Sequence, residues 1–140
     1  MNDALYQQGL KTLAQAGQGT GTLARKDGEA LRDNPFCGDR VHIEIAREGG
    51  VIVAFAQQTK ACLLCRAAAA MLAVHATGLS PSDVDGAATA LRQLLATGVV
   101  DARAWPEMAL FAPVAAHRSR HGCVLLPIET LLQALAAPAA

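Results

Sequence analysis

The chain has 140 residues, with 12 lysines and arginines balancing 12 aspartates and glutamates, a length that suits one domain with a real core and is short for two. Its formal net charge of zero, with no basic run or stripe, removes the electrostatic footprint of a nucleic-acid or anionic-membrane binder. No apolar stretch reaches the roughly 18 residues of a membrane span, and the N-terminus is polar rather than basic and then apolar, so a cytoplasmic protein with neither nucleic acid nor membrane as partner is expected.

Leu5, Leu10 and Leu13, with Tyr6 beside them, have roughly helical spacing, and the glycine-rich run 17–22 ends that helix. A short strand is expected between Thr22 and Leu31, ahead of the Asn34-Pro35 turn. Val41, Ile43 and Ile45 then alternate with His42, Glu44 and Ala46, Gly49-Gly50 interrupts, and β-branched residues resume over 51–55, which reads as a hairpin. His42 and Glu44 fall on the solvent-facing side of that alternation. Beyond residue 60 the pattern changes to an alanine-rich helix over 62–76, closed by Gly78. Ser80-Pro81-Ser82-Asp83 has the form of an N-cap followed by proline at the first helical position, opening a helix to Thr97 before Gly98. Trp105-Pro106 begins a further helical stretch, and 124–136 forms the last helix, with Pro127 placed in its first turn. Strands first and helices afterwards predict an α+β fold: a three-stranded antiparallel sheet with helices packed on one face.

The four cysteines lie in three neighbourhoods, Asn34-Pro35-Phe36-Cys37-Gly38-Asp39, Lys60-Ala61-Cys62-Leu63-Leu64-Cys65-Arg66 and Arg120-His121-Gly122-Cys123. Each neighbourhood falls where the chain changes direction, at a Pro/Gly turn or a predicted helix start. In a reducing compartment such cysteines serve as ligands, nucleophiles or buried apolar residues rather than disulfides. Cys62 and Cys123 take predicted helix N-termini, where unpaired amides and the helix dipole favour an anionic sulfur. Cys37 lies in a tight turn, with Asp39 two residues on and Gly38 letting the backbone approach a bound ion. Three thiolates and a carboxylate supply four donors, enough for tetrahedral zinc or for the protein side of a small iron–sulfur cluster. The harder oxygen among soft sulfurs suits a site that exchanges its contents.

Cys65 admits three roles: a fourth ligand in place of Asp39, a resolving thiol for Cys62 in a CxxC redox pair, or a small buried hydrophobe, because an i,i+3 spacing places two residues on one helical face. His121 is a further candidate ligand beside Cys123, and His117 a weaker one, since imidazole suits zinc and iron. His75 on the alanine-rich helix reads as packed or capping, and Trp105, Met108 and Phe111 as packing residues. Gly17-Gln18-Gly19-Thr20-Gly21 lacks the strand-loop-helix context and the lysine of a phosphate loop.

Leu5-Tyr6, Cys37-Gly38-Asp39-Arg40-Val41, Cys62 opening an alanine-rich segment 67–71, and the basic segment 118–123 ending in Cys123 together resemble the U-type iron–sulfur scaffold family. That family comprises IscU-like proteins, SufU-like proteins and the N-terminal domain of NifU. The resemblance covers most of the chain and implies a single NifU N-terminal/IscU-like domain over 1–140 with a SufE/NifU-like fold. The long interval between Cys62 and Cys123 is more similar to the SufU branch, and the Leu-Pro-Pro-Val-Lys chaperone motif of IscU-like members is absent. Three further positions depart from the family pattern: Ala61 stands where glycine is usual, Cys65 where serine is common, and Leu13-Ala14-Gln15-Ala16-Gly17 where a His-Tyr-x-Asn-Pro stretch is usual.

The resemblance implies a scaffold for a [2Fe–2S] cluster, an acceptor of persulfide sulfur from a cysteine desulfurase, or both, delivering to apo iron–sulfur proteins. The resemblance thus implies a scaffold or sulfur carrier rather than a conventional enzyme, with a sulfurtransferase left open. Cys37, Asp39, Cys62 and Cys123 are the implied ligands, Cys62 or Cys123 the implied sulfur acceptor, Asp39 the exchangeable ligand, and Arg120 a residue that could hold Asp39 when it leaves the metal. The SufU branch implies an alternative with the same donors, a zinc-dependent sulfurtransferase. A CxxC thiol redox protein using Cys62 and Cys65 is the alternative of a different class.

Overall fold

The computed structural model describes residues 7–36 and 38–136. In chain order these form α1 (Gln8–Ala16), β1 (Gly28–Asn34), β2 (Asp39–Glu48), β3 (Val51–Lys60), α2 (Leu63–His75), α3 (Pro81–Thr97), a 3-10 helix (Pro106–Ala116), a short 3-10 turn (Arg118–Arg120) and α4 (His121–Ala136). The three strands pair antiparallel in the order β1-β2-β3, so the expected α+β architecture is what the chain adopts.

Strand periodicity decides which side of the sheet is covered. Ala30 of β1, Val41, Ile43 and Ile45 of β2 and Ile52 of β3 are buried and belong to the hydrophobic core. Successive strand residues point to opposite faces, so Glu29 and Leu31, Arg40 and His42, and Gln58 and Lys60 share the other face, which no helix among the described residues covers. α2 packs on β3 and α4 on β1 and β2, with α1 flanking α2 and α3 flanking α4.

α2 buries Leu64 through Leu72 except Arg66. The small alanines at 67–70 let it lie between α1, α4 and the sheet. α4 approaches β1 closely enough that a Cβ on Gly28 would stand 2.7 Å from the Ala134 carbonyl oxygen. α3 begins with a complete capping box: Ser80 Oγ accepts from Asp83 N at 3.1 Å, and Asp83 Oδ2 accepts from Ser80 N at 2.9 Å. It ends at Gly98, as the sequence indicates.

Three sequence expectations are corrected. The last helix starts at His121 rather than near 124, so Pro127 lies inside it instead of in its first turn. Proline cannot donate to the residue four back, so the intrahelical partner of the Cys123 carbonyl is removed. The alanine-rich helix stops at His75 with Ala76 as C-cap, and Gly78 instead donates its N–H to the Ile52 carbonyl at 2.7 Å. The helical stretch expected from Trp105-Pro106 is present, wound as a 3-10 helix with Pro113 inside it. Finally, Glu44 faces away from the helices yet is 4% exposed. The chain between α1 and β1 crosses over it, Leu23 N donating to Oε1 at 2.8 Å and Lys26 Nζ to Oε2 at 2.7 Å. That hydrogen bond from Lys26, then the one from the Leu23 amide, holds the Glu44 carboxyl below its ordinary range against the opposing effect of burial.

Candidate metal centre

Asp39, Cys62 and Cys123 come from three different elements, and one ligand atom from each lies within 4.8 Å of the other two. Asp39 opens β2 in phase with Val41, Ile43 and Ile45, so the pleat that buries those side chains also turns its carboxylate inward, where it is 1% exposed. Cys62 is the N-cap of α2, with extended backbone at φ −64 and ψ 166. Cys123 is the third residue of α4 and fully buried. Both sulfurs thus stand at the positive ends of helix dipoles.

The carboxylate is tied to the first thiol. Asp39 Oδ1 accepts the Cys62 amide N–H at 2.9 Å, and the Cys62 Sγ lies 3.8 Å from Oδ2. The amide is one that a helix N-terminus leaves without an intrahelical partner, so Asp39 caps α2 from the end of a strand. Cys62 is partly exposed while Cys65 and Cys123 are buried, and none of the three is in a disulfide.

Cys37, the fourth sequence candidate, lies outside the described residues, as do Leu5 and Tyr6. Its neighbours define the turn: Gly38 N donates to the Asn34 carbonyl at 2.9 Å, Asn34 Oδ1 accepts Phe36 N at 3.2 Å, and Gly38 adopts φ +70. The left-handed backbone at Gly38 is one that glycine adopts without strain. An open cavity of about 440 Å³, bounded by Asn34, Gly38, Asp39, Arg40 and Lys60, gives access to this edge of the sheet.

Cys65 is fully exposed to the core and not to solvent: it is 0% accessible and belongs to the main hydrophobic cluster. The i,i+3 argument that puts two residues on one helical face presumes that both are helical. Cys62 is extended and α2 begins at Leu63, so the two sulfurs are not related by helical periodicity. His121 Nε2 faces the carbonyl oxygens of Val114 and Ala115 at 3.0 and 3.2 Å. Arg120 ends the 3-10 turn that leads directly into α4. His75 stacks on Trp105 with centroids 4.6 Å apart and bonds Glu107 at 2.7 Å, a packed residue as its helix position suggests.

Among the described residues a second group, Glu29, His42 and Glu44, also brings three donor atoms together. Here the protein supplies its own cation. Lys26 Nζ stands 3.3 Å from Glu29 Oε2 and 2.7 Å from Glu44 Oε2, and His42 Nε2 is 2.9 Å from Glu29 Oε2. Asp39 instead accepts from the Cys62 amide and lies against the Cys62 thiol. Sequence patterning missed Asn34 as part of the thiol site; its Nδ2 lies 4.0 Å from Cys123 Sγ. The only signal was its place before Pro35, where an asparagine reads as a turn residue.

No protein-family model matches the sequence, and no curated protein matches it significantly. Among solved structures, the N-terminal part of a nitrogen-fixing NifU-like protein from Brucella abortus superposes with a TM-score of 0.88 at 25% identity, over 95% of this chain and 93% of that one. A chain from the thermophile Fervidobacterium islandicum AW-1, assigned as an iron–sulfur cluster assembly scaffold protein for the SUF system, also reaches 0.88 at 18% identity, over 96% of this chain and 99% of that one. The three-stranded sheet with its helices is thus the fold of NifU-like and SufU scaffold proteins over nearly the whole length of each.

Proposed function

We propose that this protein is an iron–sulfur cluster assembly scaffold in which Asp39, Cys62 and Cys123, with Cys37 from the adjacent turn, hold the cluster under construction. The observation that carries this reading is the convergence of one buried carboxylate and two thiols, from a strand start and two helix starts, within 4.8 Å, in a fold shared with scaffold proteins. The donor set fits iron and sulfide cargo: soft sulfur ligands select such clusters, and a single carboxylate is a weaker ligand that lets cargo leave. The same donors fit zinc, the metal of the sulfurtransferase alternative.

Sulfur delivery requires an accessible thiolate. Cys62 is the partly exposed member of the described cysteines, and its amide partner Asp39 lines a cavity rimmed by Arg40 and Lys60. In this reading the Cys62 thiolate attacks the outer sulfur of a persulfide on a cysteine desulfurase. One S–S bond forms as another breaks, and the desulfurase cysteine departs as a thiolate without net oxidation. Cys123 is fully buried, so in this reading it acts as a ligand and Cys62 as the acceptor. Apo iron–sulfur proteins are the recipients.

Anaerobic reconstitution with ferrous iron, cysteine and a cysteine desulfurase tests the proposal. A [2Fe–2S] absorption spectrum that disappears in the C37S/C62S/C123S variant is expected. Equal cluster, metal and persulfide binding by that variant would sink the reading. One tightly bound zinc per chain, stimulation of desulfurase turnover and no visible cluster spectrum would establish the sulfurtransferase in its place.

A further inference from the structure

Asn34 is the last residue of β1, and three of its hydrogen bonds run to the thiol site or to the turn that frames it. Its carbonyl accepts Gly38 N at 2.9 Å and its Oδ1 accepts Phe36 N at 3.2 Å, so the turn containing position 37 is held from both the backbone and the side chain. With Oδ1 committed to Phe36, the amide can point only its nitrogen outward, and Nδ2 is aimed at Cys123 Sγ, 4.0 Å away. Sulfur is larger and softer than oxygen, so hydrogen bonds to it run longer than those between nitrogen and oxygen.

A second observation on the opposite element supports the same contact. The residue before Cys123 is Gly122, and a Cβ there would stand 3.3 Å from Asn34 Nδ2. Gly122 is helical, with a φ that an alanine adopts equally well, so its lack of a side chain is explained by the room it leaves for the carboxamide. Arg32 Nη1 bonds Gln133 Oε1 at 3.4 Å about three turns further along α4, so β1 and α4 are registered on each other over this stretch.

We propose that Asn34 is a positioning residue for the metal centre: its carboxamide joins the position-37 turn to the first turn of α4 and donates an N–H to the Cys123 sulfur, setting how tightly the centre holds its metal. This rests on the reading of Cys123 as a ligand. Hydrogen-bond donors behind metal ligands orient them and tune their electron donation, and their loss typically weakens metal binding about 10–100-fold.

Cobalt(II) is a suitable probe, because its thiolate charge-transfer absorption reports directly on the bound sulfurs. In N34S the shorter hydroxyl still accepts the Phe36 amide, as serine does in such turns, but stops short of Cys123. The expected result is cobalt affinity weakened about 10–100-fold by chelator competition, with the charge-transfer band moved to lower energy as the sulfur loses its donor. G122A keeps Asn34 but displaces Nδ2, and should move both quantities in the same direction by less. A turn that served only the fold would lower the melting temperature of the apo-protein and leave the band where it was. An N34S band and affinity equal to wild type, in a protein whose C123S variant has an altered band, overturn the role of Asn34 alone. A wild-type protein with no thiolate-to-cobalt band overturns the metal-centre reading itself.

Discussion

Substituting Cys65 by serine separates a core residue from a ligand, because the proposed site includes Cys62 while Cys65 is buried in the core, although they are three residues apart. Cys65 is 0% exposed, on a helix whose buried face also carries Leu64, Ala68, Met71 and Leu72. Replacing its sulfur with a hydroxyl moves a polar group into that core and removes polarizable contact area, a cost of about 1–3 kcal/mol. Taking about 2 kcal/mol and a chain of this length, the melting temperature of the metal-free protein should fall by roughly 5–10 °C. Metal stoichiometry should stay at the wild-type value, because Cys65 lies outside the group formed by Asp39, Cys62 and Cys123. C62S should behave in the opposite way, with the metal-free melting temperature within about 3 °C of wild type and the metal lost. Melting is followed in excess chelator, since bound metal stabilises by mass action and would mix the two effects. A C65S protein with wild-type stability and lost metal would refute the reasoning and make Cys65 a ligand.

Other perturbations test how the frame around the site is built. G28A places a methyl 2.7 Å from the Ala134 carbonyl and 3.1 Å from Ile45 Cγ1; pushing α4 off β1 should destabilise by about 1–3 kcal/mol in urea unfolding. S80A removes half of the α3 capping box and should cost about 1 kcal/mol by the same measurement. E44Q tests a pH dependence. The folded-state pKa of Glu44 is lowered, chiefly by Lys26, so its contribution is fully present above the unfolded glutamate value of about 4.3 and is lost as pH falls through the lower folded value. Wild type should therefore exceed E44Q in stability at pH 7 and converge on it below about pH 4. A gap that does not change between pH 7 and pH 3 would refute the assignment.

Periodicity carries far in this chain because each pattern follows from local geometry. Alternation over residues 41–45 marks a strand with one buried face, and extending it back by one step puts Asp39 on that face before any contact is known. The same reasoning fails for Glu44, whose parity points it away from the helices correctly but whose burial depends on a crossing segment about 20 residues distant in sequence. For Cys65 the sequence leaves three roles open, and its burial in the core fits the small hydrophobe among them. Its spacing from Cys62 suggests a shared face, but the helix boundary falls between them, and boundaries are the least legible part of a sequence. Pro127 shows the same weakness from the other side, as a proline taken to sit in a first turn stands inside a longer helix.

Local sequence by itself determined the elements and the residue types of the site: three strands, an alanine-rich buried helix, a capped third helix, and cysteines at turns or helix starts with an aspartate among them. Those features follow from interactions between residues a few positions apart, which a sequence displays directly. Only the tertiary structure decided that β2, α2 and α4 bring Asp39, Cys62 and Cys123 within 4.8 Å of one another, and that Asn34 reaches across to α4. Contacts between residues 89 positions apart, such as Asn34 with Cys123, arise because burying one face of the sheet forces the helix starts to its edge. No local pattern encodes that constraint.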